Sequence, residues 1–146
     1  MTNGSPITAP VFDSGAFAVT LQTFTDADYA QTFRVQLGNT IPPVYQNFTG
    51  YTMEMMVRAH PEDVEVFLAI TSSSSGMAPG QSGIDIYDPG TETTAGLWEF
   101  AVIIFREHLQ KIPEGTYAQS LIATGPDGFR RDIWRGDLIN TIGPTR

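Results

Sequence analysis

The stretch Leu109-Gln110-Lys111-Ile112-Pro113-Glu114-Gly115-Thr116-Tyr117 decides the fold of this chain. Leu109 and Ile112 are apolar anchors on the approach. Gly115 is small enough to let the backbone turn. Tyr117 follows with a ring that can cap a core and a hydroxyl that can reach back to a main-chain group upstream. A corner of this kind is where one sheet of a β-sandwich hands the chain to the other, so strands should lie on both sides of it.

Both flanks read that way. Before the corner, residues 97–105 are apolar on both faces, with Trp98, Phe100, Val102 and Ile104 alternating with Leu97, Ala101, Ile103 and Phe105. This is the pattern of a central strand, and residues 105–111 leave room for a turn or two of helix. After it, Tyr117, Leu121 and Ala123 lead to Gly125-Pro126-Asp127-Gly128, a strong hairpin signal. Residues 129–134 return, Gly136-Asp137 is expected to turn, and 138–142 add a last strand.

Further upstream the period is two. Phe17, Val19 and Leu21 share a face, as do Phe33, Val35 and Leu37, then Tyr51, Met53, Met55 and Val57, then Val64, Val66, Leu68 and Ile70. Turn residues separate them at 26–28, 38–43, 60–63 and 88–90, and residues 72–83 form a Ser-rich loop. Seven to nine short strands at this spacing predict an all-β chain, a single immunoglobulin-like antiparallel β-sandwich over residues 15–146. Residues 1–14 read as an extended N-terminal arm, anchored by Val11 and Phe12 on a neighbouring molecule.

The 146 residues fit one domain. Charged residues make up 16% of the chain, against a typical ~25%. A sparsely charged surface fits a protein that oligomerises or is built into an assembly. The net charge is −8, and Lys111 is the single lysine, which argues against nucleic acid as a partner because phosphate binding depends on clustered cations. Four of the eight basic residues, Arg130, Arg131, Arg135 and Arg146, fall in the last seventeen positions. The commoner meaning of such local basicity is a solvated strand edge blunted by charge. The sharper one is head-to-tail docking onto an acidic face of a neighbouring copy or partner, for which Glu62, Asp63 and Glu65, otherwise a solvated turn, would be the acceptor. Cysteine is absent, which removes disulfides and thiolate chemistry and fits synthesis in a reducing cytosol. No apolar run approaches the ~18 residues needed to span a bilayer, so no membrane role is expected.

Catalytic signatures are weak. His60 and His108 are the two imidazoles, read as surface residues without metal-pair spacing, and no nucleophile elbow accompanies them. Asp85, Asp88 and Glu92 lie around a Gly/Pro turn and have oxygen ligands suited to calcium, though not in EF-hand spacing; a chance acidic turn is the stronger reading. Arg135-Gly136-Asp137 matches an integrin-recognition triplet but reads here as a tight turn. Trp98 and Trp134 could stack on sugars if exposed side by side, while their strand contexts favour the core. No cofactor and no enzymatic activity are expected.

From about Gln31 to Arg146 the chain resembles phage virion β-sandwich domains, in particular the N-terminal domain of siphophage baseplate upper proteins. The likeness is carried by Phe33-Arg34-Val35, by Phe48-Thr49-Gly50-Tyr51-Thr52 leading into residues 53–58, by the Leu109 to Tyr117 corner, and by Pro126-Asp127-Gly128 followed by Trp134-Arg135-Gly136. In those relatives the domain anchors to the virion and a later region binds the receptor. The resemblance therefore implies a non-enzymatic structural protein, made in the host cytoplasm and built into the virion. It would contact copies of itself and other virion proteins as a tail, baseplate or fibre-base adaptor. A capsid decoration protein is the alternative, and a module for host surface glycans is the weaker third.

Overall fold

Along β10 (Gly115–Thr124) Tyr117, Gln119, Leu121 and Ala123 are buried and the residues between them are not, the alternation of a strand with one face on a core. β6 (Thr52–Arg58) repeats it, with Met53, Met55 and Val57 inward. The computed structural model describes residues 7–9, 17–37, 44–72, 81–88 and 98–142. The other described elements are β1 (Ile7–Ala9), β2 (Phe17–Ala18), β3 (Leu21–Phe24), β4 (Tyr29–Leu37), β5 (Val44–Tyr45), β7 (Leu68–Thr71), β8 (Gly83–Tyr87), β9 (Glu99–Ile104), α1 (Arg106–Leu109) and β11 (Arg130–Thr141).

The strands make two sheets. One runs β1-β4-β9-β8, with β5 also on β4; the other runs β2-β11-β10-β6-β7, with β3 also on β11. In immunoglobulin lettering β4, β9 and β8 are B, E and D, while β6, β10 and β11 are C, F and G, with β7 as C′. The chain is an all-β sandwich. The edges β7 and β8 meet at one parallel bridge, Ser72 to Ile84, which ties the sheets together on that side.

Several expectations need correction. The described residues hold eleven strand segments, more than the seven to nine foreseen, because the first strand is broken into pieces and β5 is added. The sandwich is not wholly antiparallel: β1 runs parallel to β4, and β2 and β3 run parallel to β11. Ile7–Ala9, assigned to the arm, is a strand of the first sheet. The expected strand through Val64 and Val66 begins only at Leu68. Residues 59–67 form a loop, with Val64 94% exposed. Gly136-Asp137 does not turn, since β11 continues through it in register with Gln119 and Ala118.

β11 carries an irregularity nearer its start. Between Leu121 and Ile122 the register shifts, and β11 carries one extra residue there. Ile133 and Trp134 consequently both face inward, a β-bulge that re-aims the strand. Trp134 lies against Phe33 at 4.7 Å and Phe100 at 5.7 Å, and Phe48 meets Phe100 edge-on. Burying each such ring contributes about 1.5–3 kcal/mol, which makes this cluster the centre of the core.

Candidate interaction surface

The corner is built as its residues predicted. Leu109 and Ile112 are buried, and the Tyr117 hydroxyl donates to the Pro113 carbonyl at 2.5 Å, four residues upstream. Its ring packs edge-on against Phe67 at 5.2 Å, and burial raises the phenol pKa. Gly115 opens β10 beside that ring.

Sequence reading missed the residue that clamps this corner. Asn140, fully buried on β11, donates from Nδ2 to the carbonyls of Leu109 at 3.1 Å and Ile112 at 3.0 Å, while its Oδ1 accepts from the Thr23 hydroxyl at 2.9 Å. The signal was a polar residue two places after Leu138, on the inward face. Gln119 does the same for the core: its Oε1 accepts from Trp134 Nε1 at 2.7 Å and its Nε2 donates to the Val19 carbonyl at 2.9 Å. Gly136 lets Val19 approach so closely, since a Cβ at that position would overlap the Val19 backbone.

The outward face of the second sheet carries the strongest site features. Small residues on its central strand, Ala118 and Ser120, make the floor of a depression of about 290 Å³. Met56 and Arg58 on β6 form one wall, and Asp132 and Arg135 on β11 the other. A second depression of about 340 Å³ adjoins it toward the β10–β11 hairpin and shares Ile122. Arg135 is ion-paired with Asp132, whereas among the described residues Arg58 meets the Met56 sulfur, at 3.2 Å, and its buried Nε finds no partner. This is a shallow cationic groove with apolar sides, suited to an acidic protein segment and not to a small enclosed substrate.

The predicted basic residues sort themselves around this face. Arg130 reaches Glu54 at 3.8 Å, Arg131 lies over the Phe129 ring at 5.4 Å, and Arg135 lines the groove. Val11, Phe12 and Arg146 lie outside the described residues, as do Glu92 and residues 73–80 of the Ser-rich loop. Arg135-Gly136-Asp137 sits inside a strand and not at a loop tip. Trp134 is fully buried and cannot stack on a sugar. Trp98 is half-buried and, with Tyr51 and Ile86, lines a depression of about 280 Å³.

The histidines divide. His60 is exposed and pairs with Asp63 across its own turn. His108, read as a surface residue, is half-buried on α1, and its Nδ1 lies 2.6 Å from the Ser82 hydroxyl. Ser82 Oγ also accepts the Phe105 N–H at 2.9 Å, and Asp28 Oδ1 accepts the Arg106 N–H at 2.8 Å. The pair thus satisfies orphan donors at the start of α1 and ties it to the start of β8. A nucleophilic dyad would need a further group orienting the imidazole; among the described residues no carboxylate pairs with His108, and neither residue lines the depressions above.

On the opposite face, Arg34 and Glu99 pair at 2.9 Å with side chains 18% and 10% exposed. The Tyr87 hydroxyl donates to the other carboxylate oxygen at 2.9 Å, and Arg34 sits over the Tyr45 ring. Burial and then the Glu99 contact raise the Tyr87 pKa. This network fastens β4, β9, β8 and β5 together. No family model matches the chain, and no curated protein is significantly similar to it.

Proposed function

We propose that this chain is a non-enzymatic structural protein of a phage particle, a sandwich adaptor that joins copies of itself and neighbouring virion proteins in a tail, baseplate or fibre base. The observation that carries the reading is the outward face of the second sheet. It sets Arg58 and Arg135 around a shallow groove, with Arg130 at the adjoining depression and the Arg58 guanidinium partly unsatisfied among the described residues, and such a surface serves protein contact. The likeness of the corner and hairpin sequences to virion β-sandwich domains supplies the setting. The fold itself would serve equally in other places, so the site and the particle must decide.

The test is the number of copies of the chain per purified particle, by quantitative mass spectrometry against the major capsid protein. A count far below that of the capsid protein is expected for a tail or baseplate component. A count comparable with it would move the protein to the head as a decoration protein. Absence from particles would refute the virion reading.

A further inference from the structure

Residues 59–67 project from the edge of the second sheet beside the groove. Its first turn is closed by hydrogen bonds: the Asp63 N–H donates to the His60 carbonyl at 3.1 Å, and Asp63 Oδ2 accepts the His60 N–H at 3.1 Å and lies 3.3 Å from its ring. With Asp63 committed to the turn, Glu62, Val64 and Glu65 are left exposed, and neither glutamate has an ion-pair partner among the described residues. The loop therefore presents two exposed carboxylates, Glu62 within 4.8 Å of the His60 and Asp63 side chains and Glu65 beyond them, beside an exposed Val64 side chain.

The groove offers the complement. It has Arg58, whose guanidinium meets no carboxylate among the described residues, a second cation at Arg135 that shares its charge with Asp132, and apolar surface from Met56 and Ile122. The loop and the groove it matches border one another on a single chain. We propose that the 59–67 loop of one copy docks into the groove of the next, a head-to-tail contact in which Glu62 and Glu65 meet Arg58 and Arg135 and Val64 covers Met56 and Ile122. Made in one direction from copy to copy and not reciprocally, the contact is heterologous, and it closes into a ring or extends as a filament. A preformed loop loses little conformational entropy on docking, which favours this contact over one made by a floppy segment. The inference deepens the proposed adaptor role by naming a second copy as the occupant of that groove.

Charge reversal tests it. One variant reverses the loop (Glu62→Arg, Glu65→Arg) and another reverses the groove (Arg58→Glu, Arg135→Glu), each checked for a wild-type unfolding midpoint. Light scattering on sized fractions should give a wild-type mass of three or more times 16.0 kDa, and 16.0 kDa for each variant alone. Mixing the two variants should restore masses above that of one chain, because the native loop then meets the native groove and the reversed loop meets the reversed groove. Combining all four reversals in one chain should restore the wild-type mass. A monomeric wild type, a wild-type dimer, or variants that keep the wild-type mass would overturn the contact. A groove reversal that unfolds the chain leaves the loop reversal, on an exposed segment, to decide. Oligomers formed by a chain missing from particles would sustain this inference and refute the virion role; a monomer present in particles would do the reverse.

Discussion

Replacing Asn140 by Ala should destabilise the fold far more than replacing Tyr117 by Phe, although Tyr117 is the more conspicuous residue. The tyrosine hydroxyl makes one hydrogen bond, to the carbonyl of Pro113, and Pro113 is itself exposed, so water can take over that carbonyl in the variant. A single bond with a solvated survivor is worth about 0.5–1.5 kcal/mol. Asn140 makes three bonds in a fully buried site. Leu109 O retains the Ile112 N–H at 3.2 Å and the Thr23 hydroxyl retains the Ile139 carbonyl at 3.4 Å, but Ile112 O loses a buried partner, at roughly 1–3 kcal/mol. Adding the small void gives about 2–4 kcal/mol in total. For a domain of this size that is a fall of roughly 4–16 °C in midpoint against a few degrees for Tyr117→Phe. Urea unfolding followed by tryptophan fluorescence would read both. Should Asn140→Ala prove equal to or milder than Tyr117→Phe, the clamp is not what holds the corner.

Gly136→Ala pushes a Cβ into the Val19 backbone and should cost about 1–3 kcal/mol, measured by thermal melting; a neutral result would show that the close approach is not needed. Glu99→Ala leaves the half-buried Arg34 without its carboxylate and should destabilise by roughly 2–4 kcal/mol, with Glu99→Gln milder because its amide oxygen can still accept from Arg34 while its NH2 donates to the Tyr87 hydroxyl oxygen. Tyr29, Tyr87 and Tyr117 hold their protons above the ordinary phenol range because burial disfavours the phenolate. The raised folded values mean that their contribution is intact below about pH 10 and is lost as pH rises through them, so stability should fall steeply above pH 10 and Tyr29→Phe should flatten that fall in chemical unfolding across pH. Val64→Ala, at a residue touching nothing in its own chain's core, should leave the melting midpoint within about 0.5 kcal/mol of wild type while weakening self-association.

Much of the sandwich was legible because strand alternation and turn chemistry are local. The hairpin at 125–128 is an example: Gly128 takes φ of 83°, and its N–H returns to the Gly125 carbonyl at 2.9 Å. The corner was legible for the same reason, since Tyr117 and Pro113 are four residues apart. The errors came where partners are distant in sequence. Gly136 looked like a turn because glycine usually marks one, whereas here it admits Val19, more than a hundred residues away. Val64 and Val66 continued an apolar alternation that the chain does not use, because the His60–Asp63 turn and the Phe67 N–H to Val57 O bond at 2.8 Å close the loop before the strand resumes. The buried roles of Asn140 and Gln119 depend on pairings across both sheets, which no local pattern encodes. Of the basic residues, the sequence singled out Arg130, Arg131 and Arg135 by their clustering but passed over Arg58, which reaches the same face from a strand more than seventy residues earlier.

The division of labour between the two faces of β10 and β11 follows from their inward polar residues. Asn140 and Gln119 spend all their hydrogen bonds inside, fixing the corner and the Val19 approach, so the register of β11 on β10 is pinned at two places. A strand pinned this way cannot slip without burying unpaired amides, and a one-residue slip would also swap its two faces. The positions of Asp132 and Arg135 on the outer face are therefore set by bonds made in the core. Their distance from Arg58 is set through β10, which pairs with both β11 and β6. A docking groove with rigid walls needs no ordering when a partner arrives, and its specificity is written by which residues the register turns outward. Loss of the Gln119–Trp134 pair should accordingly weaken self-association as well as stability, through a loosened register and not through any contact of its own.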